Sequence, residues 1–231
     1  MITLQLKPRP LVAFFFLMLL LGEMHELVHI FTGYSFCGCW GARDFNVWGL
    51  CEGCRDANPW AILATFAGPI FTFALIWLGR AWLLRGDARR QVLGFILIFA
   101  NLPFARILTA FLGGGDEVYA LHVIFGNGEN RDLIHYIGLG IVLAAAVPPL
   151  ITAWKAIANR HRWLYFLGFL LLPMLLAMLV IFMGLNGLLE KGVLLEPWIW
   201  GTPALVTIHT IVVIIVVSLT NRYLVELRKN E

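Results

Sequence analysis

The sequence predicts an all-α polytopic membrane protein, a bundle of about six transmembrane helices with both termini in the cytoplasm. Three observations carry that expectation. Hydrophobic residues make up 60% of the chain against 13% charged, and the mean hydropathy is +0.83. Six apolar stretches approach the roughly 20 residues needed to cross a bilayer's hydrocarbon core. Lys and Arg are distributed unevenly over the connectors between them, which sets orientation. This composition argues against a soluble domain, and a formal charge of +3 requires no nucleic-acid partner.

The stretches run over residues 11–33, 60–79, 92–112, 134–153, 163–186 and 202–220. They lack the polar/apolar alternation of barrel strands, and backbone groups cannot stay unpaired in lipid, so each is expected to be a helix. Twelve basic residues (Lys7, Arg9, Arg80, Arg85, Arg89, Arg90, Lys155, Arg160, Arg162, Arg222, Arg228 and Lys229) fall on one side of this arrangement. Only Arg43, Arg55, Arg131 and Lys191 fall on the other, and Arg106 lies within a helix. Positive charge accumulates on the cytoplasmic side, so the chain is expected to begin and end there.

The first stretch ends in His25-Glu26-Leu27-Val28-His29. Positions i and i+4 share a helix face, so both imidazoles can reach one Zn²⁺, and the intervening glutamate can act on an activated water. Charge at bilayer depth costs about 2.5–3.5 kcal/mol per residue on insertion scales, so these groups are expected to face a bundle interior or a watered cavity. Two plainer readings compete: a polar cluster that ties helices together, and a signal peptide with Leu11 to Leu21 as its apolar region. No small-x-small cleavage site follows that run.

With the N-terminus inside, the motif sits toward the extracytoplasmic side, as do Asp116, Glu117, His122, His135 and His209, whereas His161 belongs to the other side. Groups at one depth on different helices are what a metal site needs. The connector 34–59, expected outside the membrane, holds all four cysteines: Cys37, Cys39, Cys51 and Cys54. Disulfides stapling the loop and a four-thiolate zinc site are both open; topology favours disulfides, and four cysteines allow three pairings.

Ala67-Gly68-Pro69, downstream of an intramembrane HExxH helix, resembles the second motif of the site-2 protease family of intramembrane zinc metalloproteases. Where that family usually carries an asparagine, this chain has Thr72, which can still donate a hydrogen bond. Asn101-Leu102-Pro103 followed by Gly113-Gly114-Gly115-Asp116-Glu117 is similar to the family's third element, with the aspartate displaced. The resemblance spans residues 20–117; residues 118–231 carry no readable motif. It implies one Zn²⁺ per chain held by His25, His29 and Asp116, with Glu117, His122 and His135 as rivals for the third position. It also implies Glu26 as general base, Thr72 and Asn101 as groups near substrate or oxyanion, and a membrane-anchored protein substrate. Arg106 needs a partner within the bundle, and Glu23 is the simplest choice; stabilising an oxyanion is the alternative role. A non-proteolytic metal-binding protein for transport or structure, or a degenerate protease that only binds client helices, is the competing function. A transporter should line both halves of the bilayer with polar groups, whereas here they gather on one side.

Overall fold

The structure, a computed structural model, describes residues 1–126 and 130–229. Helix α1 spans Pro8–Cys37, with prolines in its first turn, where a missing N–H costs nothing, and left-handed Gly38 as its stop. Its 30 residues rise about 45 Å, well beyond a hydrocarbon core of about 30 Å. The surplus turn carries Cys37 out to the loop, four residues past the expected end. Helix α2 is the short Cys54–Ala57 segment, after which a 3-10 stretch Pro59–Phe66 leads into α3, Ala67–Arg85.

The third apolar stretch is not one helix. Helix α4 (Ala88–Ala100) and helix α5 (Pro103–Phe111) meet at Asn101–Leu102, where Leu102 adopts a φ of 50°. Pro103 cannot donate a backbone hydrogen bond and restricts the residue before it, so the helix breaks there. Helix α6, Asp116–Phe125, follows the three glycines, so Asp116 opens a separate helix and does not close the third one. Then come α7 (Arg131–Ala156), α8 (Arg162–Ala177) continuing as a π-helical run Met178–Asn186, α9 (Gly187–Glu190) and α10 (Ala204–Thr220). Within the aromatic-rich connector 192–203, β1 (Pro197–Ile199) and β2 (Thr202–Pro203) form a small antiparallel pair.

Among the described residues, six helical segments, Pro8–Cys37, Pro59–Arg85, Ala88–Phe111, Arg131–Ala156, Arg162–Glu190 and Ala204–Leu227, are long and apolar enough to cross a membrane. The expected all-α polytopic bundle is borne out. Its core is built from Ile76 of α3, Phe95 and Phe99 of α4 and Phe169 of α8, while Leu172, Leu179, Met183, Ile215 and Leu219 present large apolar side chains outward, as lipid-facing surfaces do. Helices α3 and α4 cross where Gly79 faces Gly94; a Cβ at Gly79 would stand 2.6 Å from the Gly94 carbonyl, so only small residues allow this approach. Ile2 bridges to Ile157 and Leu4 to Arg228, which ties both ends of the chain to one end of the bundle.

Candidate metal centre

Helix α1 turns Glu23, His25, Glu26 and His29 inward, and all four are buried. The two imidazoles meet edge to face, ring centroids 4.7 Å apart, with their Nε2 atoms 3.1 Å apart. Each ring is held through its other nitrogen. The Nδ1–H of His29 donates to the Ala64 carbonyl at 2.8 Å, which leaves its Nε2 with the lone pair; His25 Nδ1 lies 2.8 Å from the Thr72 hydroxyl. Such outer partners fix the tautomer and aim of ligand histidines in metal sites.

Asp116 completes the group. Positive φ at Gly113 and Gly115 turns the chain after α5, a conformation that favours glycine, and brings Asp116 Oδ2 to 3.2 Å from His25 Nε2 and 3.6 Å from His29 Nε2. A tetrahedral Zn²⁺ with bonds of about 2.0–2.2 Å requires ligand atoms about 3.3–3.5 Å apart. The separations of 3.1, 3.2 and 3.6 Å bracket that value, and two imidazoles with one carboxylate are a donor set zinc accepts. Burial alone would raise the Asp116 carboxyl, but its hydrogen bond with His25, the nearby His29 and the charge of Arg106 hold it well below the usual carboxylate range. It therefore carries the charge that a cation needs.

The rivals lie elsewhere. His122 Nε2–H donates to the Arg131 carbonyl at 3.1 Å and His135 Nε2–H to the Ala110 carbonyl at 2.8 Å, while Glu117 is buried at the start of α6 outside the three-residue group, its carboxyl pushed up by burial. Gly68 explains the Ala67-Gly68-Pro69 triplet physically: a Cβ there would collide with both histidine rings.

The remaining site residues border a cavity of about 370 Å³ beside this group, lined by Glu26, Thr72, Asn101, Arg106 and Asp116 and otherwise mostly by apolar side chains. Glu26 is 7% exposed, and its Oε2 has no hydrogen-bond partner among the described residues. Asn101 donates to the Leu97 carbonyl at 2.7 Å. Thr72 lines the cavity, but its hydroxyl also touches His25.

One expectation is overturned. Arg106 does not pair with Glu23: its Nη1 donates to Asp116 at 2.8 Å and its Nη2 lies against His25. Glu23, 2% exposed, is met by Arg43, His209 and Thr210. The loop folds back over the end of α1 and delivers Arg43, so Arg106 is left to α6. The cysteines pair as Cys37–Cys54 and Cys39–Cys51. Sequence reasoning missed Arg43 and also Trp48, whose indole stacks on His29; the signal for Trp48 was Gly33, a small residue one turn beyond His29.

Fold and site together define a class: an all-α polytopic membrane protein with a His/His/Asp group, its two histidines buried, capable of holding a metal. The chain matches no family model, no curated protein and no solved structure.

Proposed function

We propose that the protein is an intramembrane zinc metalloprotease that hydrolyses peptide bonds of membrane-anchored proteins. Its one Zn²⁺ is held by His25, His29 and Asp116, with Glu26 as general base. The observation that carries the reading is the convergence of three ligand atoms at tetrahedral spacing beside a cavity lined by buried Glu26, whose Oε2 has no hydrogen-bond partner among the described residues. A carboxylate left without a partner costs folding free energy of several kcal/mol, so its presence there calls for a chemical use.

Zinc bound there supplies Lewis acidity, which lowers the pKa of water toward about 7 and polarises a carbonyl. Glu26 takes the proton from the attacking water and returns it to the leaving amine. Arg106, at the cavity wall, offers a guanidinium to the negative charge that grows on the carbonyl oxygen. Thr72 and the Ala64 carbonyl hold the two imidazoles with their Nε2 atoms turned toward Asp116. A helical substrate keeps its amides bonded internally, so the cavity takes an unwound or extended segment. The charge bias of the connectors supports an active site toward the extracytoplasmic side, and the motifs that resemble the site-2 protease family support the reaction class.

One contact favours a second, non-catalytic reading. Arg106 already presents a cation to Asp116 and His25, and this knot ties α1, α5 and α6 without metal. Zinc analysis of the detergent-purified protein separates the two. The proposal expects one Zn²⁺ per chain, retained by Glu26→Gln and lost in His25→Ala/His29→Ala, with cleavage of co-expressed membrane proteins abolished in both. Well-folded unaltered protein without zinc would establish the knot instead.

A further inference from the structure

We infer that Trp48 is a positioning residue of the metal centre, and that the disulfide-closed hairpin over residues 42–49 is a working part of the centre. The inference rests on the reading of His25, His29 and Asp116 as ligands. The Trp48 indole lies on the His29 ring with centroids 4.7 Å apart and planes 9° from parallel. The His29 Nδ1–H bond to Ala64 fixes where that nitrogen points, yet the ring can still roll about the line of that bond. A lone pair on Nε2 lies in the ring plane, so roll swings it away from the position it shares with His25 Nε2 and Asp116 Oδ2. Trp48 against one face removes that freedom, and His25 packs at 82° to the same ring.

The hairpin is built to present the indole. Arg43 and Trp48 form its antiparallel bridge, and the Asp44 carboxylate caps its turn by accepting from the backbone N–H of Asn46 at 2.7 Å and of Val47 at 2.6 Å. It is fastened at three points: the Cys39–Cys51 disulfide closes its base, Arg43 reaches buried Glu23 of α1, and Asn186 of the π-helical run donates to Asn46. Helix α1 makes room for it. A Cβ at Gly33 would stand 3.2 Å from Leu50 and 3.5 Å from the Trp48 ring, so the hairpin packs directly on this glycine and a bulky side chain one turn beyond His29 would displace it.

The test measures zinc dissociation into a chelator, and the visible spectrum of the Co²⁺-substituted protein, for Trp48→Phe and Trp48→Leu. Leu keeps the apolar bulk but not the flat face. Trp48→Leu is expected to lose zinc at least about 10-fold faster, the scale of outer-partner effects on metal sites, and to shift the cobalt absorption bands. Trp48→Phe is expected to stay near the unaltered protein, and the metal-free melting temperatures of both variants to match it. Equal zinc retention and identical cobalt spectra in all three proteins would overturn the inference while leaving the ligand reading intact. An unaltered protein that takes up neither metal would overturn both. Should Trp48→Leu fail to accumulate, Cys39→Ser/Cys51→Ser frees the hairpin at its base and is expected to speed zinc loss by a similar factor; an unchanged rate there also refutes the positioning role.

Discussion

Gly68→Ala adds one methyl group at the point where α3 passes closest to the ligand rings. The new Cβ would stand 2.6 Å from His25 Nε2 and closer still to His29 Nε2, against about 3.5 Å at van der Waals contact. The rings must therefore retreat by at least about 0.9 Å, because Gly68 lies in the first turn of α3 and α3 is itself packed against α4. Metal sites tolerate ligand displacements of only about 0.2 Å, so one or both histidines leave coordinating distance. Overpacking of this kind costs about 1–3 kcal/mol where the structure can relax. The expected outcome is folded protein with zinc affinity lowered by at least about 10-fold, measured by competition with a chromogenic chelator. Gly168→Ala, in α8 where a Cβ meets nothing within 4 Å, is the control and should bind as the unaltered protein does. If Gly68→Ala retains the affinity of that control, the close approach of α3 to the histidines is not what the geometry implies and the site argument fails with it.

Three further outcomes are expected. Asp116→Asn should release zinc from purified protein, whereas Glu117→Gln, His122→Gln and His135→Gln should each keep one ion per chain; retention by Asp116→Asn would move the third ligand to one of those rivals. Arg43→Leu leaves buried Glu23 with only His209 and Thr210 beside it, a defect that costs up to about 3–5 kcal/mol, so its melting temperature in detergent should fall sharply, and Glu23→Gln/Arg43→Leu should recover part of the loss. Failure of the double variant to recover would show that the pair is not the source. Tags at the N- and C-termini should both resist protease added to intact cells, as the connector charges require, and digestion of either would reverse the orientation.

Much of this architecture was legible along the chain, because crossing a bilayer is a local property. Twenty apolar residues announce a span wherever they occur, and all six were found. The break at Asn101–Leu102 was within reach, since Pro103 forbids a continuous ladder, but an apolar run reads as one helix across it. His25 and His29 were equally legible, because a spacing of four residues places two side chains on one face whatever the rest of the chain does. Asp116 was only one of four candidates. Nothing near it in sequence says that left-handed Gly113 and Gly115 turn its carboxylate toward α1 while the rings of His122 and His135 donate to backbone carbonyls.

By itself the sequence determined what depends on composition and short spacing: a helical membrane bundle, a paired-histidine face and a cysteine-bearing loop. Only the tertiary structure decided the partners. Arg106 meets Asp116, Glu23 meets Arg43 and His209, Cys37 joins Cys54, and Trp48 lies on His29. The physical reason is that each of these contacts depends on the rotation of a helix about its axis and the fold of a loop. Those are set by packing summed over the whole bundle, and a small change in either exchanges one buried partner for another without altering a single local preference.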